Sequence, residues 1–247
     1  MDKRYQVLDL CYTFQNMQQN LHPVVLFGNR DVVLVDCGYP GSLKLLQREL
    51  SKYRIPPESI TKLLLTHQDD DHIGAAAELK EAYPTIQIMA SGIEQPYLCG
   101  EKKNLRLQQA EQLQKLLPPD QQEFGNQFCQ RYRELKPIGI DSVIAHGEHF
   151  DWGGGCEIVA TPGHTPGHVS IRALDNSFFI TGDAAVLENG KLAVANPDYC
   201  LDIDTAKHSL AQILHYKSHM RNTVTPACWA DTIQAEHCCR KQKAERC

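Results

Sequence analysis

Histidines and aspartates are concentrated in one short segment of this 247-residue chain. His67, Asp69, Asp70, Asp71 and His72 place two imidazoles and three carboxylates within six consecutive residues. Carboxylates this close together repel one another and tend to take up protons unless a cation lies between them. A bound divalent metal removes that conflict, and imidazole and carboxylate groups are both common metal ligands. The segment therefore predicts a metal site.

The spacing of these residues predicts two cations. His67 and Asp69 are two residues apart in an extended turn, so their side chains point toward the same ion. Asp71 and His72 stand where the chain turns into a helix. We therefore expect them to contact a second ion beside the first.

Two further ligands are predicted in loops that follow other short apolar runs. His164 lies in a tight loop between Gly163 and Gly167, and Asp183 comes directly after Gly182. The strands of an α/β sheet commonly end in loops that meet at one edge, where such proteins place their sites. His164 and Asp183 are therefore predicted as further ligands, and a carboxylate such as that of Asp183 is able to bridge two ions.

The elements that must position these residues alternate along the chain. Apolar runs bounded by turns predict strands at 5–12, 24–27, 32–35, 62–66, 85–90, 142–145, 156–161, 168–174 and 177–181. Helical spacing of apolar residues predicts helices at 42–53, 72–82, 101–117, 121–135 and 204–220. Ser42 is placed to cap the first of these helices.

A polar segment at 93–137 interrupts this pattern. Its two predicted helices carry a narrow apolar stripe of Leu105, Leu113, Leu116 and Leu117. We interpret the segment as a solvated helical hairpin packed on the main body, and a lid over the site is the alternative. Residues 1–220 are predicted to form one domain that includes this insertion, and 221–247 a divergent C-terminal tail.

The amino-acid composition and net charge exclude some classes of protein and of binding partner. With 42% hydrophobic and 22% charged residues the chain can form a large core, which excludes wholesale disorder. A formal charge of −5 argues against a nucleic-acid partner, so we expect a small-molecule substrate.

No apolar run approaches about 18 residues and the first residues lack a signal-peptide core, which predicts a cytoplasmic protein without a membrane partner. Six scattered cysteines, with no C-x-x-C, are expected to be buried thiols. The sequence has no heptad pattern from which an oligomeric state could be inferred.

Four motifs make the sequence resemble the metallo-β-lactamase fold hydrolases over residues 24–215. They are D-C-G at 36–38, the metal motif at 67–72, T-P-G-H-T-P-G-H at 161–168 and T-G-D at 181–183. The resemblance implies an α/β fold, an αββα sandwich with a dinuclear site, usually zinc, at one edge. By position, it assigns His67 and His164 to the first metal and Asp71 and His72 to the second, with Asp183 between them. It also places Asp36 and His168 beside the site.

The sequence departs from that family at two ligand positions. Asp69 stands where the family has a histidine, and this harder ligand makes iron or manganese alternatives to zinc. Cys228 falls where the family places its last histidine ligand. A thiolate is a competent zinc ligand, and an aberrant end to the chain is the alternative; both interpretations stay open.

The predicted function is metal-dependent hydrolysis of a small ester, lactone, thioester or related molecule. Two cations would activate a shared water molecule, and Asp71 and Asp183 would orient it for attack. The sequence contains no G-x-S-x-G, the motif of a serine nucleophile. Two alternatives are a diiron oxidoreductase-like protein, which Asp69 suggests, and a non-catalytic metal-binding module that has lost its last ligand.

Overall fold

A computed structural model describes residues 4–14 and 17–218 of the chain. Its strands are β1 (Tyr5–Val7), β2 (Leu10–Phe14), β3 (Met17–Leu21), β4 (Val24–Phe27), β5 (Val32–Val35), β6 (Lys62–Leu64), β7 (Gln87–Ser91), β8 (Ser142–Ile144), β9 (His149–Phe150), β10 (Cys156–Ala160), β11 (Val169–Ala173), β12 (Phe179–Ile180), β13 (Val186–Glu188) and β14 (Lys191–Ala193). Its helices are α1 (Leu43–Lys52), α2 (Asp70–Ile73), α3 (Ala76–Ala82), α4 (Gln95–Leu98), α5 (Leu105–Gln114), α6 (Gln122–Arg133) and α7 (Ile203–Ser218). Cys228 and the predicted tail lie outside the described residues.

Two sheets form the centre of the fold. The first has six strands in the order β1-β4-β5-β6-β7-β8, parallel from β5 to β8 and antiparallel at β1 and β4. The second has four antiparallel strands in the order β12-β11-β10-β9. Two hairpins, β2–β3 and β13–β14, stand apart from these sheets.

The sheets pack face to face because each has an apolar inner surface. From the first sheet the shared core takes Val24, Leu26, Val33, Val35, Leu64, Met89 and Ile144. From the second sheet and the connections between its strands come Trp152, Cys156, Ile158, Val169, Ile171, Ala173, Phe178 and Ile180. Because successive strand residues point to opposite faces, the remaining apolar residues lie outward, where helices cover them.

Helices complete the four layers. On the first sheet, α1 and α3 pack through Leu46, Leu50 and Leu79. On the second, α7 packs through Ile213 against Val159. This arrangement confirms the predicted αββα sandwich. Within the part of the chain that the structure describes, no helix is both long enough and apolar enough to cross a membrane.

Several predicted elements are divided differently in the structure. The predicted strand 5–12 is two strands, because the chain leaves β4 after β1 and pairs with β3. The predicted helix 72–82 is two helices, since α2 and α3 are separated at Gly74 and Ala75. A Cβ at Gly74 would lie 2.1 Å from the backbone nitrogen of Pro40, so the close approach of these segments requires glycine.

Three smaller expectations are also wrong. Ser42 does not cap α1 with its side chain, because its hydroxyl is hydrogen-bonded to that of Tyr12. The predicted leucine stripe of the insertion is not a packing surface, since Leu113 is 53% and Leu116 is 81% exposed. Instead, α5 and α6 pack through the buried residues Leu107, Cys129 and Tyr132. Of the cysteines expected to be buried, Cys11 is exposed and Cys99 and Cys200 are half-buried.

We predict that Ile171→Ala destabilises the sandwich by about 2–5 kcal/mol, because it opens a cavity between the sheets. The side chain of Ile171 is 0% exposed. Urea unfolding followed by circular dichroism measures the change in free energy of unfolding. Val143→Ala is the control, since Val143 lies on β8 with 50% exposure and its truncation should cost about 0.5 kcal/mol or less. Equal losses in the two variants would contradict the inter-sheet core.

Candidate metal centre

Three loops bring the six predicted metal ligands together at one edge of the sandwich. The segment 67–72 follows β6, the loop of His164 follows β10, and the turn of Asp183 follows β12. Four of these side chains are buried, and those of Asp71 and Asp183 are half-buried. The gathered residues are His67, Asp69, Asp71, His72, His164 and Asp183.

One group of donors consists of His67, Asp69 and His164, whose ligand atoms lie within 4.8 Å of one another. Asp69 Oδ2 is 2.9 Å from His164 Nε2 and 3.7 Å from His67 Nε2, so one oxygen faces both rings. Two imidazoles and a carboxylate are a donor set that suits a divalent ion. We call these three residues the Asp69 group.

The second group of donors consists of His67, His72 and Asp183, again with ligand atoms within 4.8 Å. His72 Nε2 lies 3.2 Å from Asp183 Oδ1 and 3.7 Å from Asp71 Oδ2. The other oxygen of Asp183, Oδ2, is 3.4 Å from His164 Nε2. Asp183 therefore spans the space between the two groups, as a bridging carboxylate must. Because the single lone pair of His67 Nε2 can bind only one ion, we keep His67 in the Asp69 group. We call His72, Asp183 and Asp71 the Asp183 group.

The ring of His67 provides a test of whether a metal ion fits this cluster. Nε2 of His67 is buried and has no hydrogen-bond partner among the described residues. Its Nδ1 lies 3.0 Å from the Thr66 hydroxyl, which donates to Asp36, so the lone pair is left on Nε2. Burial and the neighbouring His72 lower the pKa of His67 to about 4, which keeps the ring neutral. Neutral imidazole is the form that binds metals, so the donors fit a divalent ion.

Asp36 holds the ring of His72 in place. Asp36 Oδ2 lies 2.8 Å from His72 Nδ1 and also accepts a hydrogen bond from the Thr66 hydroxyl. Its Oδ1 accepts the Thr66 backbone N–H at 2.9 Å. Asp36 has φ of +59°, a left-handed conformation in which aspartate is enriched. A carboxylate behind a histidine fixes the tautomer and aims Nε2 at the cluster.

His168 holds the turn that carries Asp183. Its Nε2 accepts the backbone N–H of Asp183 at 3.0 Å, and its Nδ1 lies 2.9 Å from Thr161 Oγ1. Gly182 has φ of +48°, and a Cβ there would lie 2.6 Å from His168 Nε2. The turn can approach the ring this closely only with glycine before Asp183.

Glu94, which sequence reasoning missed, ties two of the site loops together. It is buried and accepts hydrogen bonds of 2.8 Å from Gln68 Nε2 and from the backbone N–H of Gly167. Gln68 belongs to the loop of His67, and Gly167 belongs to the loop of His164. A lone glutamate twenty-two residues after the motif carries no sequence signal for this contact, because only the folded chain brings the loops together.

Arg106 is the second residue that sequence reasoning missed. It is 2% exposed, and its Nη2 and Nε lie 2.8 Å and 3.1 Å from Asp69 Oδ2. Nη2 also lies 3.2 Å from His164 Nε2. The one available signal was an arginine flanked by Leu105 and Leu107 in the first turn of α5. That pattern does not predict which residue the guanidinium contacts, because the contact with Asp69 depends on where α5 crosses the site.

The Asp183 group lies in a strongly negative environment. Although burial lowers the pKa of His72, the carboxylates of Asp71, Asp183 and Asp36 raise it well above its ordinary value. Burial also raises the pKa of Asp71 to about 7. The raised pKa of His72 reflects carboxylates that are held close together around its ring, an arrangement that a cation stabilises.

A cavity of about 710 Å³ opens above the donors. Its floor carries Asp69, Asp71, His164 and Asp183. The aromatic residues of its wall are Tyr39, Phe124, Phe128, Tyr132 and Tyr199. Three of them belong to α6, so the insertion forms part of the wall of the cavity.

Comparison with known proteins connects this geometry to a family. Residues 20–214 match the family model of the metallo-beta-lactamase superfamily. The crystal structure of a metallo-beta-lactamase family protein from Thermus thermophilus superposes with a TM-score of 0.66 at 16% identity. That alignment covers 97% of this chain and 81% of the other, and at this identity it shows the fold alone.

Two relatives are similar in sequence. YflN of Bacillus subtilis, described as a probable metallo-hydrolase, is 26% identical over 168 residues, which are 65% of this chain and 58% of that protein. A hydroxyacylglutathione hydrolase of Rhizobium meliloti is 25% identical over 195 residues, or 75% of this chain and 57% of the relative. The chain thus spans less than two thirds of the length of either relative.

We predict that Asp36→Asn weakens metal binding by about 10–100-fold, because His72 loses the carboxylate that orients it. Asparagine also tolerates the left-handed backbone of this position, so the fold should be retained. Competition with a chromophoric chelator measures the affinity. Asp31→Asn is the matched control, since Asp31 is paired with Lys62 and is hydrogen-bonded by Trp152 away from the donors. Unchanged affinity in a folded Asp36→Asn protein would contradict the orienting role.

Proposed function

The chain belongs to the metallo-β-lactamase superfamily, and we propose that it is a metal-dependent hydrolase of a small ester, lactone or thioester. The relatives support the reaction class, since one is described as a metallo-hydrolase and another as a hydroxyacylglutathione hydrolase. The substrate is part of the proposal, as is the presence of two divalent ions. We propose zinc, with iron or manganese as alternatives because Asp69 is a hard ligand.

The observation that carries this proposal is the position of Asp183. Its carboxylate lies between the two donor groups, with one oxygen 3.2 Å from His72 Nε2 and the other 3.4 Å from His164 Nε2. The residue also faces the cavity. Divalent ions bound there would lower the pKa of a water molecule and polarise a substrate oxygen. A site at the floor of a cavity is where a substrate could meet that water.

The residues of the centre have separate proposed roles. All six predicted ligands hold the ions, and two of them have a further role. The carboxylates of Asp71 and Asp183 accept hydrogen bonds from the attacking water and orient it toward the substrate. Among the described residues that line the cavity there is no serine or cysteine, so water is the proposed nucleophile.

The cavity supports a small substrate with an apolar part. A volume of about 710 Å³ is in the range of small-molecule pockets. Its aromatic wall offers apolar contact, while the carboxylates and imidazoles of the floor form the polar end. A formal charge of −5 does not favour a polyanion such as nucleic acid as the partner.

We predict that chelation abolishes turnover of an ester, lactone and thioester panel, and that adding back zinc, iron or manganese restores it. His67→Ala and Asp183→Asn should each lose activity by about 100-fold or more, because each removes a predicted ligand. Turnover and elemental analysis are measured on the same preparations. His149→Ala, which removes an exposed imidazole of β9, is the control and should keep wild-type activity and metal content.

Two results would contradict the hydrolase proposal. Full activity in a metal-free preparation would exclude the metal mechanism. A metal-loaded protein that turns over no member of the panel would favour the alternatives, and two irons with an oxo-bridge absorbance band would favour the diiron protein over a non-catalytic module.

A further inference from the structure

The two donor groups differ in their surroundings, and this difference rests on the contacts of Arg106. Its Nη2 lies 2.8 Å from Asp69 Oδ2, the same oxygen that faces the rings of His67 and His164. The same nitrogen lies 3.2 Å from His164 Nε2. One guanidinium thus contacts two of the three donor atoms that a metal ion would need in the Asp69 group.

Arg106 is held firmly in this position from both sides. At the start of α5, Asn104 Nδ2 donates to the carbonyl of Gln68, and the backbone N–H of Leu105 donates to Gln68 Oε1 at 2.8 Å. At the far end, Nη1 of Arg106 donates to the carbonyl of Tyr199. Because Gln68 is the residue before Asp69, the insertion is anchored on the metal motif itself.

The Asp183 group has no such partner. None of the ion pairs formed by the described residues joins an arginine or lysine to Asp36, Asp71 or Asp183. Their ion-pair partners are His72 and, for Asp183, also His164. The Asp69 group therefore combines one carboxylate with one guanidinium, whereas the Asp183 group combines two carboxylates with a third behind His72.

We propose that Arg106 is a built-in counter-cation of Asp69 that makes the two metal positions unequal. A divalent ion binds first at the Asp183 group, where no arginine or lysine is paired with the carboxylates. A second ion binds weakly at the Asp69 group, because the guanidinium repels it and occupies the lone pairs of its ligands. This inference rests on the metal centre of the proposed function but concerns affinity and not turnover.

The test is a titration of the metal-free protein with zinc by calorimetry, with bound metal counted after equilibrium dialysis. The wild type should bind one ion tightly and a second at least about tenfold more weakly. Arg106→Gln removes the charge and should strengthen the weaker step by about 10–100-fold. Arg106→Lys keeps the charge and should leave the steps unequal. Arg133→Gln, an exposed arginine of α6 paired with Glu111, is the control and should behave as wild type.

A second pair of variants tests the order of filling without changing Arg106. Asp69→Asn should retain the tight ion, and Asp183→Asn should lose it. The proposal is overturned if the wild type binds two ions equally, if folded Arg106→Gln leaves both affinities unchanged, or if Asp69→Asn loses the tight ion. These outcomes are distinct from failure of the hydrolase proposal, which depends on turnover. A protein that binds no metal at all would remove the basis of both.

Discussion

The central constraint on this structure is the repulsion between carboxylates that the fold holds together at one edge. Asp69, Asp71 and Asp183 lie around the same three imidazoles, and Asp36 stands directly behind one of them. Buried carboxylates without compensating positive charge are unfavourable, so such a cluster persists only where cations or donors offset it. Arg106 offsets the charge at Asp69 within the protein, and the donor geometry elsewhere suits a metal ion.

The scaffold satisfies this constraint by fixing loops to one another. Asp36 connects β5 to the loop of the metal motif through Thr66 and to His72. Glu94 connects that motif to the loop of His164. These contacts are short and buried, so the protein itself holds the donors in place. This close packing leaves some positions where only one residue type fits, as at Gly182.

The sequence predicts site residues best where the side chains that share a chemical role are also close together along the chain. The segment 67–72 could be interpreted directly because its donors are adjacent, and His164 and Asp183 could be added because each follows an apolar strand. Arg106 and Glu94 could not be predicted, since their contacts form only when segments that are distant in sequence pack against each other. The leucine stripe of the insertion is wrong for a related reason: leucine spacing predicts a packing surface, but the helices meet through Leu107, Cys129 and Tyr132.

Arg106 also gives a physical reason why an aspartate is tolerated at position 69. Replacing a neutral imidazole with a carboxylate adds one negative charge to a centre that already holds two carboxylates. The guanidinium adds one positive charge next to it, at 2.8 Å, so the total charge equals that of a centre with imidazole and no arginine. The two residues are therefore best understood as one unit. Because α5 supplies the arginine, the insertion and the altered motif depend on each other, and removing either alone leaves a buried charge without its partner.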